Sequence, residues 1–280
     1  VFDPQTILAA TDLTPRRSRS VVARAAQLAR AHGARLVLVH AVAPATQTVA
    51  RFRLRKPADP LETGQRELAR LRADYPDLDI TCHVVPGPPA EVVAHIAARE
   101  AADLIVLGLH LPRRVLETMR LTNLERITQA ARCPVLIAHT PGTIPYRRIL
   151  GAITFAPASA EALRVAARLA PEAELHAIHA LQLPLKAKLP SADVMTTPEM
   201  TTAELLREAF MTREGLPAHL HTPEIVPGGV HEVLQFRMHE LEPDLVVIGN
   251  HSGRDPDDLG NYTRDLMRAP PTDMLVAKPG

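Results

Sequence analysis

The chain says the same thing twice. Val85-Pro86-Gly87-Pro88-Pro89-Ala90-Glu91-Val92 returns as Val226-Pro227-Gly228-Gly229-Val230-His231-Glu232-Val233. Ala102-Asp103-Leu104-Ile105-Val106-Leu107-Gly108-Leu109-His110 returns as Pro243-Asp244-Leu245-Val246-Val247-Ile248-Gly249-Asn250-His251, and Ile7-Leu8-Ala9-Ala10-Thr11 finds its counterpart in Ile149-Leu150-Gly151-Ala152-Ile153. Gly87 to Gly228, Asp103 to Asp244 and Gly108 to Gly249 share one offset of 141 residues. Solenoid repeats run to roughly 20–50 residues, so a period this long is a duplicated domain. Two such units fit in 280 residues, each large enough to bury its own core. The boundaries expected are residues 1–141 and 146–280, with Pro141-Gly142-Thr143-Ile144-Pro145 as a short Pro/Gly junction that leaves the domains little freedom to part.

Composition narrows the partners. With 46% hydrophobic and 22% charged residues the chain reads as an ordinary soluble globular protein, and no apolar stretch approaches the roughly 20 residues that span a bilayer. A formal net charge of +1 gives no electrostatic case for nucleic acid or an anionic membrane as partner. Val1-Phe2-Asp3-Pro4 does not read as the start of a signal peptide, so the location expected is cytoplasmic. Cys82 and Cys133 have no CxxC spacing and read as buried thiols.

Within each half, β-type and helix-type patterns alternate. Ile7–Ala10, Arg35–His40, Ile80–Val85, Leu104–Leu107 and Val135–Ala138 are short aliphatic runs. Helices fall between them: one with Thr14 as N-cap, Pro15 at the first helical position and Gly33 at its end; one opened by Asp59-Pro60-Leu61-Glu62; one over Pro89–Glu100; one over Leu116–Ala131. The second half repeats the series, with strands expected at Ile149–Ile153, Glu174–Ala180, Ala218–Val226, Leu245–Ile248 and Met274–Ala277. Its helices are expected at Ser159–Leu169, Thr202–Arg213, Val230–Leu241 and Gly260–Met267. Near-continuous apolar strands separated by helices predict an α/β chain of two tandem Rossmann-like domains, each a five-stranded parallel sheet with helices on both faces.

A set of segments in the same order, twice, resembles the universal stress protein family over essentially the whole chain: Ile7-Leu8-Ala9-Ala10-Thr11-Asp12, Val39-His40-Ala41-Val42, the Asp103–His110 run and Cys133-Pro134-Val135-Leu136-Ile137 carry the likeness in the first half. The resemblance implies a non-catalytic stress-response binding or regulatory protein. In nucleotide-binding members a Gly-x2-Gly-x9-Gly-Ser/Thr motif after the fourth strand holds ribose and phosphates, an Asp after the first strand and the backbone after the second hold adenine, and the last strand mediates dimerisation. Close approach of phosphate to backbone N–H groups requires glycine, and a helix N-terminus adds a favourable dipole. The C-terminal ends of the strands are where open α/β sheets take ligands.

Residue by residue, the two halves depart from that motif in opposite directions. In the first, Asp12, Ala41, Gly108 and Thr122 match, but Leu111 and Leu121 stand where the second and third glycines belong. Arg113 and Arg114 in the same loop either supply charge in place of backbone donors or are simply solvated. In the second, Gly249, Gly253 and Gly260 remain, Asn261 stands at the Ser/Thr position, and Thr154 replaces the first-strand Asp. Asp255, Asp257 and Asp258 add carboxylates that oppose a triphosphate unless a metal intervenes; the simpler reading is a solvated acidic loop with no metal. His110 and His251 stand at equivalent positions just past the fourth strand, as ligand contacts or loop-packing residues. Each missing close contact to phosphate forfeits about 1.5–3 kcal/mol, so two weaken ATP by roughly two to four orders of magnitude. Degenerate nucleotide sites are expected; a stress switch driven by ATP or a related adenine nucleotide in one domain is the alternative.

Other features are less pointed. His219 and His221, two apart in the expected strand, share a face with metal-compatible geometry but no third ligand. Arg51-Phe52-Arg53-Leu54-Arg55-Lys56 is either an anion or partner contact or a basic loop docking two apolar side chains. Gly-x-Ser-x-Gly, the P-loop and His-Glu-x-x-His are absent, so no enzyme is expected, slow hydrolysis of a bound nucleotide aside. The partners expected are the other domain of the same chain, a second copy in a homodimer and a protein of unknown identity. The apolar last strands, Val135–Ala138 and Met274–Ala277, are expected at sheet edges, where they invite association. Each half expressed alone should therefore self-associate at micromolar concentration in analytical ultracentrifugation; two well-behaved monomers would count against the pairing.

Overall fold

The computed structural model describes residues 2–43, 59–109, 121–140, 142, 144–182, 197–249 and 259–277. The first half runs β1 (Thr6–Ala10), α1 (Pro15–His32), β2 (Arg35–Val42), α2 (Pro60–Ala73), β3 (Ile80–Pro86), α3 (Pro89–Arg99), β4 (Leu104–Gly108), α4 (Asn123–Ala130) and β5 (Val135–Ala138). The second repeats it as β6 (Arg148–Ala152), α5 (Pro157–Leu169), β7 (Glu174–Leu181), α6 (Pro198–Met211), β8 (Glu224–Pro227), α7 (Val230–Leu241), β9 (Leu245–Gly249), α8 (Asn261–Arg268) and β10 (Asp273–Ala277). Strand order is β3-β2-β1-β4-β5 in the first half and β8-β7-β6-β9-β10 in the second, the same order twice. Neighbours within each run are parallel. By compactness the chain forms two units, Asp3–Pro145 with Arg264–Pro270, and Tyr146–Thr263 with Pro271–Gly280.

The central strands are continuous apolar runs because both faces are covered. Ile7, Leu8, Ala9, Leu104, Ile105 and Val106 are fully buried, as are Ile149, Leu150, Leu245, Val246 and Val247 in the second unit. Turn chemistry sets the helix ends. Gly33 closes α1 in the left-handed region at φ 63°, and the Asp59 carboxylate accepts from Leu61 N–H at 2.9 Å to open α2. Among the described residues no helix is long and apolar enough to cross a membrane.

Several boundaries differ from the sequence reading. The helix expected from Leu116 starts, in the described part, at Asn123, because Thr122 and Glu125 form a reciprocal capping box that sets its first turn. α5 and α6 begin earlier than expected, at Pro157 and Pro198, since proline is well suited to a first helical position. The strand expected over Ala218–Val226 shrinks to Glu224–Pro227 plus one isolated bridge at Leu220. Pro223 removes a ladder donor there. His219 and His221 therefore do not share a strand face; His221 instead stacks on His176, ring centroids 4.3 Å apart.

The repeated residues do matching jobs. Gly87 and Gly228 have φ of 145° and 149°, and a Cβ on either would meet Cγ2 of Val92 or Val233 at 3.0 Å. Their amides donate to the carbonyls that end the second strand of each half, Val42 and Leu181, both at 3.0 Å. Asp103, just before β4, accepts from Gln5 and Thr6 N–H at 2.9 and 3.0 Å; Asp244, just before β9, accepts from Arg147 and Arg148 N–H at 2.9 and 3.1 Å. Each carboxylate thus satisfies the orphan donors at the start of its domain's first strand. At the same end of the first sheet Arg35 binds the Thr6 hydroxyl and Glu100, and with Arg99 it holds the Glu100 carboxyl below the usual carboxylate range. The junction is tied to α1, whose buried Arg24 donates to the Ile144 carbonyl at 2.7 Å.

Candidate functional site

At the opposite, C-terminal ends of β1, β2 and β4 lies a cleft of about 310 Å³. Asp12, Ala41 and Gly108 all line it, contributed by the residues that follow or end these three strands. The turn carrying Asp12 is built with care. Leu13 sits in the left-handed region at φ 59°, a conformation that costs a branched residue on the order of 1 kcal/mol. Its N–H donates to Thr11 Oγ1, Thr11 Oγ1 donates to Ser18 Oγ, and Thr14 N–H donates to Asp12 Oδ1 at 2.9 Å. Thr14 stands at the N-cap of α1 as expected but its side chain makes no capping bond; its own N–H is held by the Asp12 carboxylate two residues upstream.

Ala41 enters through its backbone. Val39 O accepts from Thr11 N–H and Val42 O accepts from Gly87 N–H, so alternation along β2 turns the Ala41 peptide groups to the β1 side, past the last residue of β1. His40 completes the corner: its Nδ1 donates to the Thr11 carbonyl at 2.9 Å. Gly64 in α2 leaves room for the ring, since a Cβ there would lie 3.1 Å from His40 Cδ2. His179 repeats the bond in the second unit, donating to the Ile153 carbonyl at 2.9 Å. These two histidines were missed as site residues in the sequence, although Val39-His40-Ala41 and Ile178-His179-Ala180 occupy matching strand ends.

Thr122 lies at the start of α4 next to the cleft-lining Asn123. Its hydroxyl accepts from Glu125 N–H, and its own N–H donates to Glu125 Oε2 at 2.6 Å. Glu125 is fully buried and its other oxygen binds Arg268, which groups with the first unit. Leu121, at the position of a cradle glycine, exposes 38% of its surface. His110, Leu111, Arg113, Arg114 and the Arg51–Lys56 segment lie outside the described residues, as do His251, Gly253 and the three aspartates of the second loop.

The second unit is arranged differently at the equivalent positions. Thr154 stands where Asp12 does, so a hydroxyl replaces the carboxylate, and its N–H donates to Ser159 Oγ at 3.1 Å. Phe155, left-handed at φ 60° like Leu13, is buried with its ring against His179 and Phe210, at 4.7 and 5.6 Å between centroids. Gly249 ends β9 against α5: a Cβ there would lie 2.5 Å from the Ala158 carbonyl oxygen. Gly260 and Asn261 lead into α8, and Tyr262 follows at the position that Asn123 holds in the first half. The Tyr262 hydroxyl is buried with no hydrogen-bond partner among the described residues, burial raises its ionisation above the ordinary range, and its ring meets His231 edge-on at 5.1 Å.

Residues 4–139 and again 145–278 match the universal stress protein family. The chain belongs to that family. Solved structures with the same fold include a functionally unknown protein from Pseudomonas aeruginosa PAO1, 18% identical, which covers 99% of this chain and 93% of its own with a TM-score of 0.65. A putative universal stress protein from Pseudomonas aeruginosa UCBPP-PA14 is 18% identical over 99% of this chain and 94% of its own, TM-score 0.63. A universal stress protein from Archaeoglobus fulgidus DSM 4304 is 17% identical over 99% of both chains, TM-score 0.63. No curated protein matches the chain. At these identities the likeness carries the fold of the family and not the ligand.

Proposed function

We propose that this universal stress protein is a cytoplasmic, non-catalytic binding and regulatory protein of two domains, 1–141 and 146–280, in which the first domain holds the ligand site and ATP binds weakly. One observation carries the reading: Asp12, Ala41 and Gly108 converge on one cleft at the ends of three neighbouring strands. The second domain supports the division of labour, because Thr154 lacks a carboxylate and Gly249 is closed against the backbone of α5. Phosphate binding loses a cradle glycine in the first domain at Leu121, and the Thr122 N–H is already taken by the Glu125 carboxylate.

Isothermal calorimetry tests it. Relative to a micromolar site, two lost phosphate contacts put the ATP dissociation constant at roughly 0.1 mM or weaker. Asp12→Ala should lower whatever affinity remains. Micromolar ATP binding that survives Asp12→Ala would overturn the assignment to the first domain and favour a nucleotide-driven switch located elsewhere in the chain.

A further inference from the structure

The helix between the second and third strands is built twice and finished differently. α2 and α6 each open on a proline and pack an inner face on the second and third strands of their own unit. In α6 that inner face is Met200, Ala203 and Phe210, each no more than 3% exposed. The outer face of α2 is polar: Glu62, Gln65, Arg66 and Arg70 are exposed, and no large apolar side chain is. α6 instead turns Thr202, Leu205, Leu206 and Ala209 outward, at the i, i+3, i+4, i+7 spacing of a second apolar stripe. Leu205 exposes 61% and Leu206 49% of its surface, and Met211 at the helix end 38%. The first unit shows the charged face that the same element accepts when it meets only water. Contiguous apolar surface of this kind marks an interaction site.

Two observations say what covers the stripe. A hollow of about 400 Å³ opens beside Leu206 at the N-terminal half of the helix, floored by His179 and Leu181 of β7 and walled by Pro198, Glu199 and Thr202. The charges at the two ends of α6 are opposite and unspent. Glu199 stands in the first turn and Arg213 just past the last, and among the described residues neither has an ion-pair partner; the Arg213 guanidinium lies over the Phe210 ring at 6.0 Å. At 1.5 Å rise per residue they are about 21 Å apart, with Leu205 and Leu206 midway. The stripe is therefore its own complement. A second α6 laid antiparallel across Leu205 and Leu206 brings each Arg213 to the Glu199 of the other copy, sets each small Ala209 over the facing hollow, and opposes the two helix dipoles. A parallel pair would put Glu199 against Glu199 and Arg213 against Arg213.

We propose that the outer face of α6 is a homodimer interface, on which a second copy of this chain docks its own α6 antiparallel, with Leu205 and Leu206 at the centre and reciprocal Glu199–Arg213 pairs at the ends. The interface belongs to the second unit alone and is independent of any ligand in the first.

Sedimentation velocity of the full chain from about 1 to about 200 µM tests it. The chain should be half dimeric at roughly 10–100 µM, because one helix face is smaller than a standard interface. Leu205→Glu should weaken the dimer at least tenfold. Phe236→Glu, at an equally exposed apolar position on α7, should leave it unchanged. Both positions are on the surface, so both variants keep the fold, which circular dichroism checks. Glu199→Arg and Arg213→Glu should each weaken the dimer at least threefold, and an equimolar mixture of these two variants should regain the parental affinity, since each copy then meets an opposite charge at both ends. A chain that stays monomeric at 200 µM overturns the proposal. A dimer indifferent to Leu205→Glu also overturns it, by placing the contact elsewhere, as at the last strands. A mixture no tighter than its separate components overturns the antiparallel pairing.

Discussion

Gly249→Val should cost the second unit about 3 kcal/mol or more, a large share of the 5–15 kcal/mol that holds an ordinary domain together. The reason is a collision that no rotamer can relieve. A Cβ on Gly249 would lie 2.5 Å from the Ala158 oxygen, 2.6 Å from its carbonyl carbon and 3.0 Å from Ser159 N, all backbone atoms in the first turn of α5. That helix is locked in place by Ala160, Ala162, Leu163, Val165 and Ala166, each no more than 2% exposed, so it cannot step back without opening the core. Scanning calorimetry should show a transition lowered by at least about 10 °C, or lost. A melting profile within 2 °C of the parent would show that the helix yields freely and that this account of the glycine is wrong. A loss of ligand binding in this variant reports broken packing before it reports a missing phosphate contact, which makes Leu121 and Asp12 the informative positions for ligand chemistry.

Asp103→Ala and Asp244→Ala should each destabilise by about 2–4 kcal/mol, since each removes two charge-assisted hydrogen bonds to strand-start amides, partly discounted for the solvent that reaches them. Asp103 joins the start of β4 to Gln5 and Thr6, nearly a hundred residues earlier, and Asp244 does the same for Arg147 and Arg148. Asn in place of either Asp keeps an acceptor oxygen and should recover part of the loss. The checking measurement is urea unfolding of the four single variants. Equal midpoints for the parent and both alanine variants would overturn the clamp; similar losses in the two halves would mark the repeated Asp as a device of the fold, independent of any ligand.

The contrast between repeated and divergent residues organises the molecule. Gly87 and Gly228, Asp103 and Asp244, His40 and His179 hold the same conformations or bonds in both units. The residues nominated for phosphate and adenine diverge instead: Asp12 against Thr154, Leu121 against Gly260, Thr122 against Asn261. Retained pairs secure the turns and strand starts that the fold needs, and divergent pairs sit at the mouth of the strands.

The architecture is legible along the chain: two α/β units with five strands each, the alternation of strand and helix, and the helix starts at Pro15 and Pro60. Those features are encoded by neighbours in the chain, through apolar runs, proline at the first helical turn and Gly33 at a left-handed helix end, so they can be read in place. The strand expected over Ala218–Val226 is shortened because Pro223 removes a donor from its hydrogen-bond ladder, which outweighs the apolar pattern. The close fit of Gly249 against α5, the hold of Asp103 and Asp244 on strand starts, and the bracing of the turn after each first strand by His40 and His179 emerge only from the folded chain. Each of these depends on a contact across tens of residues, set by the close approach of one backbone to another. Spacing along the chain carries no record of such an approach until the sheet has formed.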